Sequence, residues 1–258
     1  MDTLGPISRT VEDAAITLGA IAGYDSKDPT TWDTRVPDYR QTLDGDIKAI
    51  RVGVVSELLH SEQVEPDVEK AVTAAAALLA ELGAAVEEVS IPLTTHANAI
   101  SSVLLAVEPA SNLGEWVRER LQDFGHDNRI GLLVGSIIPA QVYYKAQKLR
   151  SMLRQQVHEA LETYDVLVAP TSGKVPPKLQ DDPVVTSKGT ASRLPFMRTN
   201  TFNLSSAPAI SVPCGFSTQG LPIGLQIGGR PGGEATVLKI AHAYEQATTW
   251  HTMRPPNA

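Results

Sequence analysis

The sequence contains a single cysteine, Cys214, in 258 residues. No intramolecular disulfide can form, and neither a thiolate zinc site nor an iron–sulfur cluster can be assembled from this chain; a reducing, cytoplasmic setting is expected. Long apolar runs are also lacking. No stretch approaches the ~18 apolar residues of a membrane span, and the opening Met1-Asp2-Thr3-Leu4-Gly5-Pro6 has no basic-then-apolar signal pattern. Positive charge is scarce, with 22 basic against 29 acidic residues and a formal net charge of −7. That balance argues against nucleic acid and anionic membranes as partners. What the chain does have is 42% hydrophobic residues and 20% charged ones, enough to bury a core. No repeat, low-complexity tract or flexible linker divides it, so a single domain over residues 1–258 is expected.

Familiar catalytic patterns are missing as well. The six histidines, at positions 60, 96, 126, 158, 242 and 251, form no H-E-x-x-H, H-x-H or His–carboxylate cluster, so no metal is expected. Gly228-Gly229-Arg230-Pro231-Gly232-Gly233 lies between a strand and a helix, where a dinucleotide loop would sit. Its spacing is not G-x-G-x-x-G, so it reads as a tight turn opening a helix, and no cofactor is expected. A Walker loop and a G-x-S-x-G elbow are absent; Gly215-Phe216-Ser217-Thr218-Gln219-Gly220 has one residue too many. Ser205 and Ser206 form a hydroxyl pair without a nearby lysine or histidine, and are expected to satisfy backbone groups at a turn.

The hydrophobic pattern nevertheless places most of the scaffold. Thr10 caps a helix with Val11, Ala14, Ala15, Leu18 and Ile21 in register, ending at Gly23. Tyr24 to Asp46 has no period and reads as a surface excursion. Ile50 to Val55 is β-branched and apolar, as in a strand buried on both faces. A helix follows on the stripe Val68, Ala71, Val72, Ala75, Leu79 and Leu82, stopped by Gly83, and leads to a half-polar strand at Ala84 to Val89. This is a parallel βαβ unit.

Beyond it, helical runs between His96 and Ser136 break at Gly114 and Gly125, and a long helix begins near Pro139, striped by Val142, Ala146, Leu149, Leu153, Val157 and Leu161. It feeds a buried strand at Asp165 to Pro170. Thr171 to Arg198, rich in proline, serine and threonine, reads as a long loop over one end of the sheet. Strands at Ala209 to Pro213 and Pro222 to Ile227 and a closing helix through Tyr244 complete the chain. The fold class is α/β, with a mixed, largely parallel central sheet flanked by helices.

Several strings together resemble the C-terminal part of the amidase signature family, serine hydrolases that cleave carboxamides with a Ser–Ser–Lys triad. They are Leu4-Gly5-Pro6-Ile7-Ser8-Arg9-Thr10-Val11-Glu12-Asp13-Ala14-Ala15, Asp165-Val166-Leu167-Val168-Ala169-Pro170-Thr171, and Phe202-Asn203-Leu204 through Pro208-Ala209-Ile210-Ser211-Val212-Pro213-Cys214-Gly215. Gly220-Leu221-Pro222-Ile223-Gly224-Leu225-Gln226-Ile227 and Ala241 with Tyr244-Glu245-Gln246 extend the match, in family order, to about Pro256.

The resemblance implies a neutral lysine that takes a proton, through a bridging serine, from the serine that attacks the carbonyl, with backbone N–H groups holding the oxyanion. In the family those residues precede the D-x-x-G-P segment that begins here at Asp2, so none is expected in this chain and no catalytic residue is carried over. Thr171, Ser172, Thr201 and Asn203 are the candidates for lining the substrate cleft, with turn hydroxyls or helix caps as the plainer reading of each. The tRNA-dependent amidotransferases contain a related chain, but this one has Phe196 where that relative would carry an aspartate for its glutamine donor, so the resemblance favours a general amidase acting on a small carboxamide.

Two readings follow: part of an amidase, inactive alone, or a non-catalytic binding protein that keeps the fold as a partner surface. Either leaves a sheet edge that a second copy or a partner chain is expected to cover.

Overall fold

A computed structural model describes residues 3–177, 185–186, 189–190 and 197–254. Its helices are α1 (Val11–Ile21), α2 (Ser56–Leu59), α3 (Pro66–Glu81), α4 (Ala97–Asn112), α5 (Gly114–Glu119), α6 (His126–Ile137), α7 (Ala140–Thr163), α8 (Asn200–Ser205) and α9 (Glu234–Gln246). Its strands are β1 (Arg51–Val55), β2 (Ala85–Val89), β3 (Val166–Pro170), the two-residue pair β4 (Val185–Thr186) and β5 (Gly189–Thr190), β6 (Ala209–Phe216) and β7 (Pro222–Gly229).

Five strands form one sheet in the order β2-β1-β3-β7-β6. β1 pairs in parallel with β2 and β3, while β7 runs antiparallel to both β3 and β6. Four strands therefore point one way and β7 alone opposes them, which is the mixed sheet the pattern predicts. Central β3 is buried throughout, as its unbroken apolar run requires. β2 is an edge strand carrying Glu87 and Glu88, charges that discourage further pairing.

Alternation along the strands divides the core. Val52, Val54, Val166, Val168, Leu225 and Ile227 face α1, α3 and α9 in one cluster. Leu167 and Ala169 face the other way, where Leu104 of α4, Leu153, Val157 and Leu161 of α7, and Phe202 and Leu204 of α8 form the second. The sheet is the middle layer of three.

Local signals act as expected at several ends. The Thr10 hydroxyl accepts from Asp13 N–H at 3.1 Å and caps α1. Gly83 adopts φ +104° after α3, the left-handed turn that glycine tolerates. Pro139 stands just outside α7 as its N-cap rather than within the first turn. The excursion from Tyr24 to Asp46 holds a 3-10 turn at Tyr39–Thr42, whose Tyr39 side chain is buried against the core. Among the described residues no helix is long and apolar enough to cross a membrane.

α8 adds a helix where the sequence reading places only a turn, at Ser205 and Ser206. Asn-Thr-Phe-Asn-Leu-Ser has weak helix propensity, and tertiary contacts supply what the segment lacks. Phe202 and Leu204 enter the core, while Arg150 Nε donates to Leu204 O at 3.1 Å and His158 Nε2 lies 2.9 Å from Ser205 O.

His60, after α2, ties the first βαβ unit together. Its Nδ1 lies 2.7 Å from Glu69 Oε1 on α3 and its Nε2 lies 3.2 Å from Glu88 Oε1 on β2, whose other oxygen accepts from Ser56. The Glu69 hydrogen bond, assisted by the Glu88 hydrogen bond and the charge of both carboxylates, raises its pKa against the opposing effect of burial. A raised histidine contributes stability that is full below its ordinary value of 6.5 and lost as pH climbs through the higher folded value. The site is partly exposed, so the contribution is under about 1 kcal/mol. Wild type should exceed His60→Gln in urea stability at pH 5.5 and lose that advantage by pH 8.5; a constant difference would remove the charge-based account.

Candidate functional site

The carboxyl ends of β1 and β3 are where ligands bind in open α/β sheets, and three of the four sequence candidates sit at or beside them. Thr171 continues β3 by one residue, donating its N–H to Gly224 O at 2.9 Å. Its carbonyl accepts from Arg198 N–H at 3.0 Å, and Ser172 forms a β-bridge with Met197, which joins the strand end to the start of α8. Thr201, on α8, is 1% exposed, and its hydroxyl has no partner among the described residues.

Ser172 follows the plainer reading: its hydroxyl donates to Lys174 O and accepts from Lys174 N–H, a local turn. Asn203 is half-buried within α8, its N–H directed at Thr199 O. Phe196 and most of the long loop lie outside the described residues.

Thr171 and Ser211 face each other across β7. Their hydroxyl oxygens are 2.6 Å apart although β3 and β6 are not neighbours in the sheet. Gly224 makes this approach feasible, because a Cβ there would stand 2.8 Å from Thr171 Oγ1 and 2.9 Å from Ser211 Oγ. The sequence reading missed Ser211 and Gly224; a glycine in the middle of an apolar strand was the available signal of a close approach. Gly224→Ala should destabilise the chain by about 1–3 kcal/mol through overpacking. Adding Ser211→Ala should restore part of that loss in urea melts, since one of the two crowded oxygens is gone; no recovery would place the crowding elsewhere.

Beyond this pair lies β6, the long open edge. Gly229 N–H donates to Pro208 O at 2.9 Å, so alternate residues of β6 point to β7 and Ala209, Ser211 and Pro213 turn their backbone groups outward. Pro213 has no N–H and therefore forfeits no ladder bond there. The side chains of the same three residues are exposed.

Other nucleophile candidates are occupied or inert. Ser205 is fully buried and donates to Thr201 O and Phe202 O, the backbone role the sequence suggests. Ser206 adopts φ 58° as the helix C-cap. Burial pushes the Cys214 thiol up to about 12, far from thiolate chemistry. Arg198 is the other residue the sequence reading passed over: it is 7% exposed, and burial lowers its pKa. Gly228 and Gly229, weighed as phosphate-loop residues, are part of β7 and give room to Phe202 and Val237.

Comparison with known proteins gives this geometry a context. The chain is 38% identical to the A-type subunit of glutamyl-tRNA(Gln) amidotransferase from Moorella thermoacetica, over 99% of its own length and 56% of that protein's. The corresponding protein of Brevibacillus brevis is 37% identical with the same coverage, so the chain spans about half the length of the curated relatives it matches. Among solved structures, the same amidotransferase component from Thermotoga maritima superposes with a TM-score of 0.77 at 31% identity, over 97% of this chain and 54% of that one. A bacterial aryl acylamidase gives 0.83 at 23% identity, over 97% and 55%, a likeness of fold. The amidase family model matches residues 1–238, and with it the strand end at Thr171, the α8 segment and the β6–β7 hairpin find their place in one inherited scaffold: the chain belongs to the amidase family.

Proposed function

We propose that this chain is the C-terminal part of an amidase that hydrolyses a small carboxamide, and that it is inactive until the N-terminal part of the fold supplies the lysine, the two serines and the oxyanion loop. The observation that carries this reading is coverage: the relatives match 99% of this chain with only 56% of their own length. The open β6 edge, with its outward backbone groups and exposed small side chains, supports it as the place where the rest of the sheet would join. Thr171, Ser172, Thr201 and Asn203 would then form the far wall of the cleft, with the Thr171–Ser211 hydroxyl pair facing the nucleophile.

An amidotransferase role, drawing ammonia from glutamine, is the second reading, favoured by the names of the similar proteins. The chain alone should release no ammonia from simple amides and should not react with a fluorophosphonate probe. Co-expression with the in-frame upstream sequence, or with the unmatched N-terminal part of the Moorella protein, should restore both. Labelling of any serine in the isolated chain would overturn the reading, and restored activity confined to glutamine would select the amidotransferase.

A further inference from the structure

Among the described residues, Arg198 is a cation without an anion. Its Nη2 donates to Ser61 Oγ at 3.1 Å and its Nη1 to Gln63 Oε1 at 3.4 Å, both neutral acceptors. Its buried Nε has no partner among the described residues. Burial lowers its pKa, and among the described residues no carboxylate offsets it. A guanidinium does not escape this by losing its proton, and a buried unpaired charge carries a large desolvation penalty. A tether between the strand end and the α2–α3 loop needs no charge; a neutral amide of similar reach would serve.

The surroundings add a reason to keep the charge. The Arg198 backbone N–H is bonded to Thr171 O, so the residue's main chain is anchored at the carboxyl end of β3. Gly173 lets the chain pack closely against it: a Cβ there would stand 2.8 Å from Gln63 O and 3.4 Å from Arg198 Nη2. The planar fork of arginine matches a carboxylate in two parallel hydrogen bonds, which is where it differs from lysine or glutamine.

We propose that Arg198 is the receptor for a carboxylate carried by the amide substrate, so that this enzyme takes anionic rather than neutral carboxamides. The substrate assignment rests on the amidase reading above; the binding step does not, because every residue named belongs to this chain.

The test compares succinamate, which carries an amide and a carboxylate, with its neutral near-isostere succinamide in thermal melts of the purified chain. Succinamate at some tenfold above its Kd should raise the melting temperature by about 3–6 °C, and succinamide should not. Arg198→Met should melt at or above the wild type without ligand and lose the succinamate response; Arg198→Lys, with the charge but not the fork, should keep a reduced one. Equal responses to the two compounds in wild type, or none, overturn the proposal whether or not the methionine variant folds. Ammonia release from succinamate by the reassembled enzyme tests the amidase reading separately.

Discussion

Replacing Gly228 with alanine is expected to cost about 3 kcal/mol, the upper end of the range for overpacking a core. A Cβ at this position would stand 2.1 Å from Phe202 Cε1 and 2.4 Å from both Cδ1 and Cζ, inside the ring's van der Waals envelope. Phe202 has no easy retreat. It is 2% exposed, it belongs to the cluster formed with α4 and α7, and α8 is held from behind by Arg150 and His158. Either the ring leaves its pocket or α8 lifts from the sheet, and a lifted α8 carries Thr201 and Asn203 away from Thr171.

Against a typical total stability of about 5–15 kcal/mol, the urea midpoint should fall by a large fraction. The cause can be isolated with Phe202→Leu, which vacates part of the ring volume. Alone it destabilises; combined with Gly228→Ala it should recover part of the loss, a favourable coupling of about 0.5–3 kcal/mol. Strict additivity of the two changes would mean that the ring and the glycine do not share the space assigned to them.

Gly228 also shows which features were legible in the sequence. Strands and long helices were, because burial writes a period into the residues: Val166 to Ala169 is uninterrupted where both faces are covered, and Leu153, Val157 and Leu161 recur at helical spacing where one face is. A helix of six residues leaves no such record. α8 is held by partners 47 and 54 positions away in the chain, so its own composition points to a turn. Gly228 and Gly229 were read through their neighbours in sequence as a loop, whereas their reason lies across the sheet in Phe202 and Val237.

The candidate site divides in the same way. Thr171 could be picked out because it closes one of the strings that resemble the amidase family, at the end of an apolar strand. Its partner Ser211 could not, since the 2.6 Å contact crosses an intervening strand and depends on the absence of a side chain at Gly224. Arg198 stood in a stretch dense with proline and serine, where an arginine reads as solvated; only the fold reveals that it is buried beside Gly173 with neutral partners. The resemblance to amidases identified the scaffold without the chemistry, because the residues that carry a family's strings here are those that pack strands and turns.

The second large effect is expected at Gly135, and it should be local. A Cβ on this residue of α6 would stand 1.9 Å from Ala106 O, 2.6 Å from Ala106 C and 2.9 Å from the Ala110 Cβ of α4. The obstacle is helix backbone, which has no rotamer to swing aside, so α6 must retreat from α4 by more than an ångström. Little else holds it: Leu132 and Gly135 are its buried residues, while Leu133, Val134 and Ile137 are 46%, 46% and 79% exposed. Gly135→Ala should therefore open α6 rather than unfold the sheet, lowering its amide-exchange protection by about two orders of magnitude, a local loss near 3 kcal/mol. Amides of β1 and β3 should keep their protection. Gly131, in the same helix, provides the control, since a Cβ there meets nothing within 4 Å. Gly131→Ala adds only helix propensity and should stabilise α6 by up to about 1 kcal/mol. Opposite signs at two glycines four residues apart would locate the effect in the α4–α6 contact; the same sign at both would refer it to the helix itself and remove that contact as the reason for glycine at position 135.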